Sequence, residues 1–145
     1  ISPDGRLLAY RFRRYLPKIY LTTPNAPEAE VLSQMQISCI GEAIASAHRL
    51  VALGVDIAII TLAEEGLCYA TSEESGQVPA IGCEVADYTG AGAALTSAVV
   101  FGLLNDFPVD EAVRLGVSAA TLTLKSQETV RTDLSLELLY DQLVI

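Results

Sequence analysis

Between Asp87 and Leu95 the chain reads DYTGAGAAL, and it continues as an apolar run from Thr96 to Leu104. Small residues at 90 to 94 let a backbone turn tightly and approach a ligand without interference from Cβ atoms. Leu95, Ala98, Val99, Gly102 and Leu103 recur at helical spacing, which predicts a buried helix over Gly90 to Leu104. A glycine-rich turn that opens a helix aims unpaired N–H groups, and the positive end of the helix dipole, at whatever lies before it. Such a turn takes an anion, most often phosphate. The same Gly-Ala-Gly can equally be a tight turn with close packing, since short motifs match by chance. A dinucleotide fingerprint fits less well. Gly90-x-Gly92 lacks a third small residue at the required spacing, CEVADY is a poor buried strand, and no acidic residue ends a second strand downstream.

Two further stretches carry chemistry-bearing residues. In TPNAPEAEVL, Asn25 is followed three residues later by Glu28, which is capping-box spacing: the Asn side chain accepts a helix N–H and the Glu reaches back. One acidic residue at a helix start also suffices for Mg²⁺, which keeps most of its waters and takes few carboxylates. In TLAEEG, Thr61 to Gly66, a buried strand ends in a turn, and an ordinary hairpin turn accounts for that as well. Residues 1 to 18 hold Arg6, Arg11, Arg13, Arg14 and Lys18. They read as the solvated face of a helix with Leu7, Leu8, Tyr15 and Leu16 turned inward, or else as a docking site for phosphate or an acidic partner. Pro17 is expected to end that helix. His48, the single histidine, has no Cys or His at ligand spacing and reads as a packed or surface residue.

Taken together these stretches resemble the ribokinase, or PfkB, family of sugar and nucleoside kinases. Its C-terminal signature reads D-T-T-G-A-G-D, against which Asp87, Thr89, Gly90, Ala91 and Gly92 match. The resemblance implies that Gly90, Ala91 and Gly92 form an anion hole for the migrating phosphoryl group. It also implies that the position of Ala93 belongs to the Asp that deprotonates the acceptor hydroxyl, a base this chain has lost. Asn25 and Glu28 match the family's N-x-x-E motif, which helps to place magnesium, usually through water. Thr61, Leu62 and Gly66 match T-L-G-x-x-G, a turn against the nucleotide phosphates, with Ala63 where the first glycine is usual. The tail AATLTLKSQETVRTDLSLELL resembles the pseudouridine-kinase branch, and its loop implies a place for Ser126 near the adenine and a monovalent-cation site. These matches fall in the family's order. The implied activity is transfer of the ATP γ-phosphate to a sugar or nucleoside hydroxyl, pseudouridine among the candidates, with ATP and Mg²⁺ as cofactors. Without the base and the substrate-binding half, the chain is expected to be weak or inactive alone; the alternative is an inactive nucleotide-binding or interaction module.

The elements that must position these residues follow from the periodicity. Lys18 to Leu21 predicts a short strand, Ser38 to Leu53 a helix stopped at Gly54, and Asp56 to Leu62 a strand buried on both faces. Gly66 to Gly82 predicts an antiparallel hairpin around Ser72 to Gly76, with Pro79 confining its second strand to an edge. After the glycine turn, helices are expected over Val109 to Leu124 and Ser135 to Leu143, separated by the polar loop Lys125 to Thr132. In the first of these, Asp110 and Glu111 suit the helix dipole, and Ala112, Leu115, Gly116, Ala119 and Ala120 offer a face for close packing. The order strand, hairpin, glycine turn, helix predicts an α/β fold. By resemblance it is the C-terminal half of a ribokinase-like three-layer α/β/α architecture, a mostly parallel sheet with an antiparallel hairpin.

Composition bounds the rest. The 145 residues are of single-domain size, and 51 % of them are hydrophobic with few aromatics, which suits helices packed on a sheet. A net charge of −9 argues against a nucleic-acid surface. Cys39, Cys68 and Cys83 are too few and too dispersed for a zinc site or a disulfide framework, so a reducing, cytoplasmic setting is expected. No apolar run approaches the roughly 20 residues that span a bilayer. The chain opens on Ile1, and the family fold needs about twice this length, so it is expected to be a fragment or processed product. The expected partners are then nucleotide, and a sugar or nucleoside only when an N-terminal half is present. An exposed sheet edge and apolar face would also favour a homodimer.

Overall fold

The computed structural model describes residues 13–86, 88–127 and 133–143. The chain divides into two compact units, Ile1–Pro79 and Ala80–Ile145. In the first, the β-branched run after Gly54 forms the central strand β2 (Ile57–Thr61), with Ile57 to Ile60 buried as the sequence predicts. β1 (Leu21–Thr22) runs parallel to it, Leu21 opposite Ile57. β3 (Leu67–Ala70) and β4 (Ser75–Val78) follow antiparallel, Ile60 facing Cys68 and Cys68 facing Gln77. The sheet is therefore mixed, in the order β1-β2-β3-β4. β4 is an edge strand that stops at Val78, immediately before Pro79 would withdraw a ladder donor.

Three local expectations shift. The first strand is Leu21–Thr22 and not Lys18 to Leu21, because Lys18 ends a 3-10 helix, Arg13–Lys18. Pro17 sits inside that helix instead of ending it; in the last turn its missing N–H forfeits little, and its fixed φ suits the tighter spiral. Leu16 turns inward at 1 % exposure, whereas Tyr15 stays largely in water with the Arg14 guanidinium 4.8 Å over its ring. Arg6, Arg11, Leu7 and Leu8 lie outside the described residues. The hairpin turns at Thr71 to Glu74. The Thr71 hydroxyl accepts from the Glu73 and Glu74 N–H groups (3.1 and 3.0 Å), so Ser75 and Gly76 pair in β4.

Helices α1 (Ala26–Ser33) and α2 (Ile40–Ala52) cover this sheet, with Ala29, Leu32, Ala43, Ala47 and Leu50 packed into one cluster with Ala58, Ile60 and Cys68. Where α1 meets α2, the buried Ser46 hydroxyl donates to Ser33 (2.8 Å), which donates to the Ala29 carbonyl (2.7 Å). The pair satisfies two polar groups that would otherwise be stranded in an apolar interface. His48 is exposed on α2.

The second unit is built on α3 (Ala91–Leu104) and α4 (Val109–Leu124), with α5 (Leu136–Leu143) laid against α4. Glycine lets the first two touch: a Cβ on Gly116 would lie 2.7 Å from Val99 Cγ2, and one on Gly102 2.9 Å from Ala112 Cβ. α5 is tied down by polar bonds. Ser118 Oγ donates to the Leu139 carbonyl (2.6 Å), Lys125 Nζ to Gln142 Oε1 (2.8 Å), and the Tyr140 hydroxyl to Glu111. The Glu111 bond holds the Tyr140 phenol above its ordinary pKa. Among the described residues no helix is long and apolar enough to cross a membrane.

Candidate nucleotide-phosphate site

The glycine turn of the second unit has the geometry the sequence calls for. Gly90 stands at the N-cap of α3 with φ 85° and ψ −6°, a left-handed conformation that a residue without Cβ adopts at no steric cost. Its carbonyl accepts the first helical bond, from the Ala94 N–H (2.9 Å), and having no side chain it caps nothing. The amides of Ala91, Gly92 and Ala93 precede that bond and have no partner within the helix. Just upstream, the Ala86 N–H donates to the Leu124 carbonyl (2.8 Å), which pins the approach to the turn against the end of α4.

Gly92 is informative for what surrounds it. A Cβ placed there would meet nothing within 4 Å, so the protein's own packing does not demand glycine at this position. The Cβ direction at Gly92 is open. Beside it opens a cavity of about 380 Å³ lined by Gly90, Ala93, Ala94, Ser97, Ala98 and Phe101 from the turn and α3, and Ala119 and Thr123 from α4. Leu134, Ser135, Leu136 and Leu139 complete the wall. That volume lies within the range of small-molecule sites. The lining is apolar except for Ser97, Thr123 and Ser135; Thr123 Oγ1 is already committed to the Ala119 carbonyl (2.9 Å), and Ser135 Oγ accepts from the Leu138 N–H (3.2 Å). Among the described residues that line it there is no carboxylate, imidazole or amine. Ala93 faces this cavity, so a proton released there meets no base among the described lining residues.

In the first unit, two other sequence motifs meet. Asn25 Oδ1 accepts from the Glu28 N–H and Glu28 Oε2 accepts from the Asn25 N–H, both at 3.0 Å, which is the reciprocal capping box at the start of α1. Asn25 also bridges in parallel register to Thr61, and the Thr61 N–H donates to the Pro24 carbonyl (3.0 Å). The N-x-x-E and T-L-A-x-x-G stretches therefore lie side by side at the carboxyl ends of the parallel pair β1 and β2, the edge at which open α/β sheets receive ligands. Beyond Thr61 the turn is closed by the Leu62 N–H donating to the Gly66 carbonyl (2.8 Å), with Ala63–Glu65 forming a short 3-10 helix. Ala63 takes φ 50°, the left-handed region. The turn has kept the conformation that suits glycine although the residue there carries a Cβ.

Asp87 lies outside the described residues; Thr89 is exposed beside the turn, and Ser126 follows α4 with its N–H donating to the Thr123 carbonyl (3.1 Å). No group of three His, Cys, Asp or Glu side chains converges among the described residues. Ser97, Phe101 and Thr123 were not singled out from the sequence. Ser97 and Phe101 could have been found by stepping 4 and 8 residues along the helix face from Ala93. Leu134 to Leu139 carry no local signal, because tertiary packing of α5 brings them there.

A glycine turn opening an apolar helix, together with a mixed α/β sheet whose motif-bearing loops lie at its strand ends, defines a ribokinase-like α/β protein. The chain belongs to the pfkB family of carbohydrate kinases, whose model matches residues 2–135. Among curated relatives it is 34 % identical over 103 residues to the guanosine-inosine kinase of Exiguobacterium acetylicum, covering 70 % of this chain and 34 % of that one. It is 28 % identical over 109 residues to the ribokinase of Haemophilus influenzae, covering 75 % and 36 %. The chain thus spans about a third of the length of these relatives. Among solved structures, a Clostridium perfringens protein superposes with a TM-score of 0.90 at 23 % identity, over 99 % of this chain and 45 % of that one. The Arabidopsis thaliana ribokinase complexed with ribose and ATP superposes with a TM-score of 0.81 at 21 % identity, over 92 % and 43 %.

Proposed function

We propose that this chain is the nucleotide-binding, C-terminal portion of a PfkB-type kinase that transfers the ATP γ-phosphate to a sugar or nucleoside hydroxyl. The observation that carries the reading is the first turn of α3: three backbone amides after a left-handed Gly90 that caps none of them, a clear Cβ direction at Gly92, and a cavity beside them. ATP supplies the phosphoryl group. The amides at 91 to 93 hold and orient its charge, which is the larger part of what a loose phosphoryl-transfer transition state asks of a protein. The resemblance also gives Thr61 to Gly66, in the first unit, and Asp87 and Thr89, in the second, to nucleotide binding. Glu28, one oxygen fixed by the capping box, suits an Mg²⁺ that is held through its own waters. A monovalent cation near Ser126, a cytoplasmic setting, and pseudouridine as acceptor belong to the same reading; the pseudouridine assignment rests on the resemblance of the tail.

With Ala93 at the base position, the acceptor hydroxyl meets no carboxylate there to receive its proton. The expected outcome is nucleotide binding with little or no turnover by the chain alone. Transfer of labelled γ-phosphate is measured with the chain as given, with Ala93→Asp, and with each supplemented by the rest of a family kinase. Restoring the carboxylate in the supplemented assembly should raise the rate by ~10²–10⁴. Strong turnover by the unmodified chain overturns the roles given to Ala93 and to the missing portion. A second reading, an inactive nucleotide-binding module, is favoured by the position of Ala93, where the family's base would stand, in a lining that holds no ionisable group among the described residues. It predicts a rise in melting temperature with ADP and Mg²⁺, and no gain in transfer from Ala93→Asp in any mixture.

A further inference from the structure

α5 walls the cavity beside the glycine turn, and its own length does not hold it there. At eight residues, Leu136–Leu143, it is shorter than a helix that persists alone in water. Its apolar face packs Leu139 against Ala98, Leu115, Ala119 and Leu122. Apolar contact is non-directional, so it docks α5 without fixing the direction in which α5 points. Polar bonds fix the direction. Leu139, Tyr140 and Gln142, within one turn of α5, are bonded to Ser118, Glu111 and Lys125 in that order. Those three partners stand seven residues apart, which puts them on one stripe of α4 and its C-cap, about 10 Å from one to the next.

The stripe is turned towards α5 where neighbouring hydroxyls are not. Thr121 and Thr123, on the same helix, donate to their own backbone, at the Val117 and Ala119 carbonyls (2.8 and 2.9 Å). The buried Ser118 instead donates across to the Leu139 carbonyl (2.6 Å), and the buried Gln142 accepts from Lys125 Nζ (2.8 Å). Glu111, Ser118 and Lys125 do not line the cavity, whereas Leu134, Ser135 and Leu136, at the other end of α5, do. We propose that Glu111, Ser118 and Lys125 are positioning residues. By pinning the C-terminal half of α5 to α4, they set where Leu134 to Leu136 stand, and hence how tightly the cavity holds its occupant. The proposal rests on the nucleotide reading for the occupant alone.

The test compares the unmodified chain with Tyr140→Phe, Glu111→Ala and Glu111→Gln. Amide exchange across residues 134–143 is read without nucleotide, Mg-ADP affinity by calorimetric titration, and folding by circular dichroism. Tyr140→Phe and Glu111→Ala each remove a bond to a charged acceptor. Exchange at 134–139 should quicken and Mg-ADP binding weaken, each by about tenfold. Glu111→Gln keeps an oxygen that accepts from the phenol and should restore both towards the original values, which loss of charge would not do. Should Glu111→Ala unfold, Tyr140→Phe decides. Exchange indifferent to the lost bond overturns the proposal, and so does unchanged Mg-ADP affinity in a variant whose α5 exchange has quickened. Glu111→Gln behaving like Glu111→Ala also overturns it, by assigning the effect to charge. An unmodified chain that binds no Mg-ADP sinks the nucleotide reading, and the seating of α5 is then decided by exchange alone.

Discussion

Two small residues define what single positions contribute. At Gly92 a Cβ would meet no atom within 4 Å, so Gly92→Ala should leave the fold intact and stabilise α3 by up to about 1 kcal/mol through helix propensity. If the turn receives phosphate, the added methyl stands in the ligand's way. Calorimetric titration with Mg-ADP should then show weakened binding beside an unchanged or raised melting temperature, whereas unchanged affinity would remove Gly92 from the site. Ala63 is the converse case. Its φ of 50° places a Cβ where an L-residue is strained, and relieving that strain outweighs the added freedom of the unfolded chain. Ala63→Gly should therefore stabilise by about 0.5–1 kcal/mol, read from urea midpoints. Position 63 also shows where sequence legibility ended. The departure from glycine was visible, but only the backbone angle tells that the turn kept its shape and absorbed the strain.

At the scale of elements, the tightest contact is between α3 and α4. A methyl on Gly116 would stand 2.7 Å from Val99 Cγ2 and 3.1 Å from the Leu95 carbonyl oxygen, and neither a β-branched side chain nor a helix backbone gives way easily. Gly116→Ala should cost ~1–3 kcal/mol despite its better helix propensity, and the loss is measured by denaturant melts. Displacement of α3 would also reach the phosphate turn, so the same variant should lose ADP-induced stabilisation. The small-residue face of α4 was legible before the structure, since Ala112, Gly116 and Ala119 recur at helical spacing. Its partner was not, because several apolar helices of this chain could have filled that face. The hairpin illustrates a finer failure. SEESG has turn composition, but the Thr71 hydroxyl captures the following amides and moves the turn towards the N-terminus by one residue or more.

The whole molecule responds to pH through a buried thiol in the sheet. Cys68 is fully buried on β3, and burial pushes its thiol up to about 11. In the unfolded chain the same thiol ionises near ~8.5. The folded state thus retains a proton that the unfolded state gives up, and stability contributed by Cys68 falls as pH rises between those values. Melting temperature measured from pH 8 to 11 should decline, and Cys68→Ala should remove part of that slope. The same burial makes Cys68 inert to alkylation under native conditions at pH 8, while Cys39, exposed at the N-cap of α2, should react first in a mass-resolved time course.

The sequence by itself determined the features that neighbouring residues decide: the buried strand expected over Asp56 to Leu62 and seen as Ile57–Thr61, the capping box of Asn25 and Glu28, the glycine turn at Gly90, and the family these belong to in order. It also displayed the missing carboxylate at Ala93, since that is a matter of residue type alone. Tertiary structure decided what depends on residues far apart in the chain. It set Asn25 beside Thr61, brought Ser135 and Leu139 across to the wall behind Ala93, and left one face of α3 bare. The physical reason is range. Turns, caps and periodicity are written in spans of a few residues, whereas a cavity or an uncovered face exists only after packing has chosen which apolar surfaces meet.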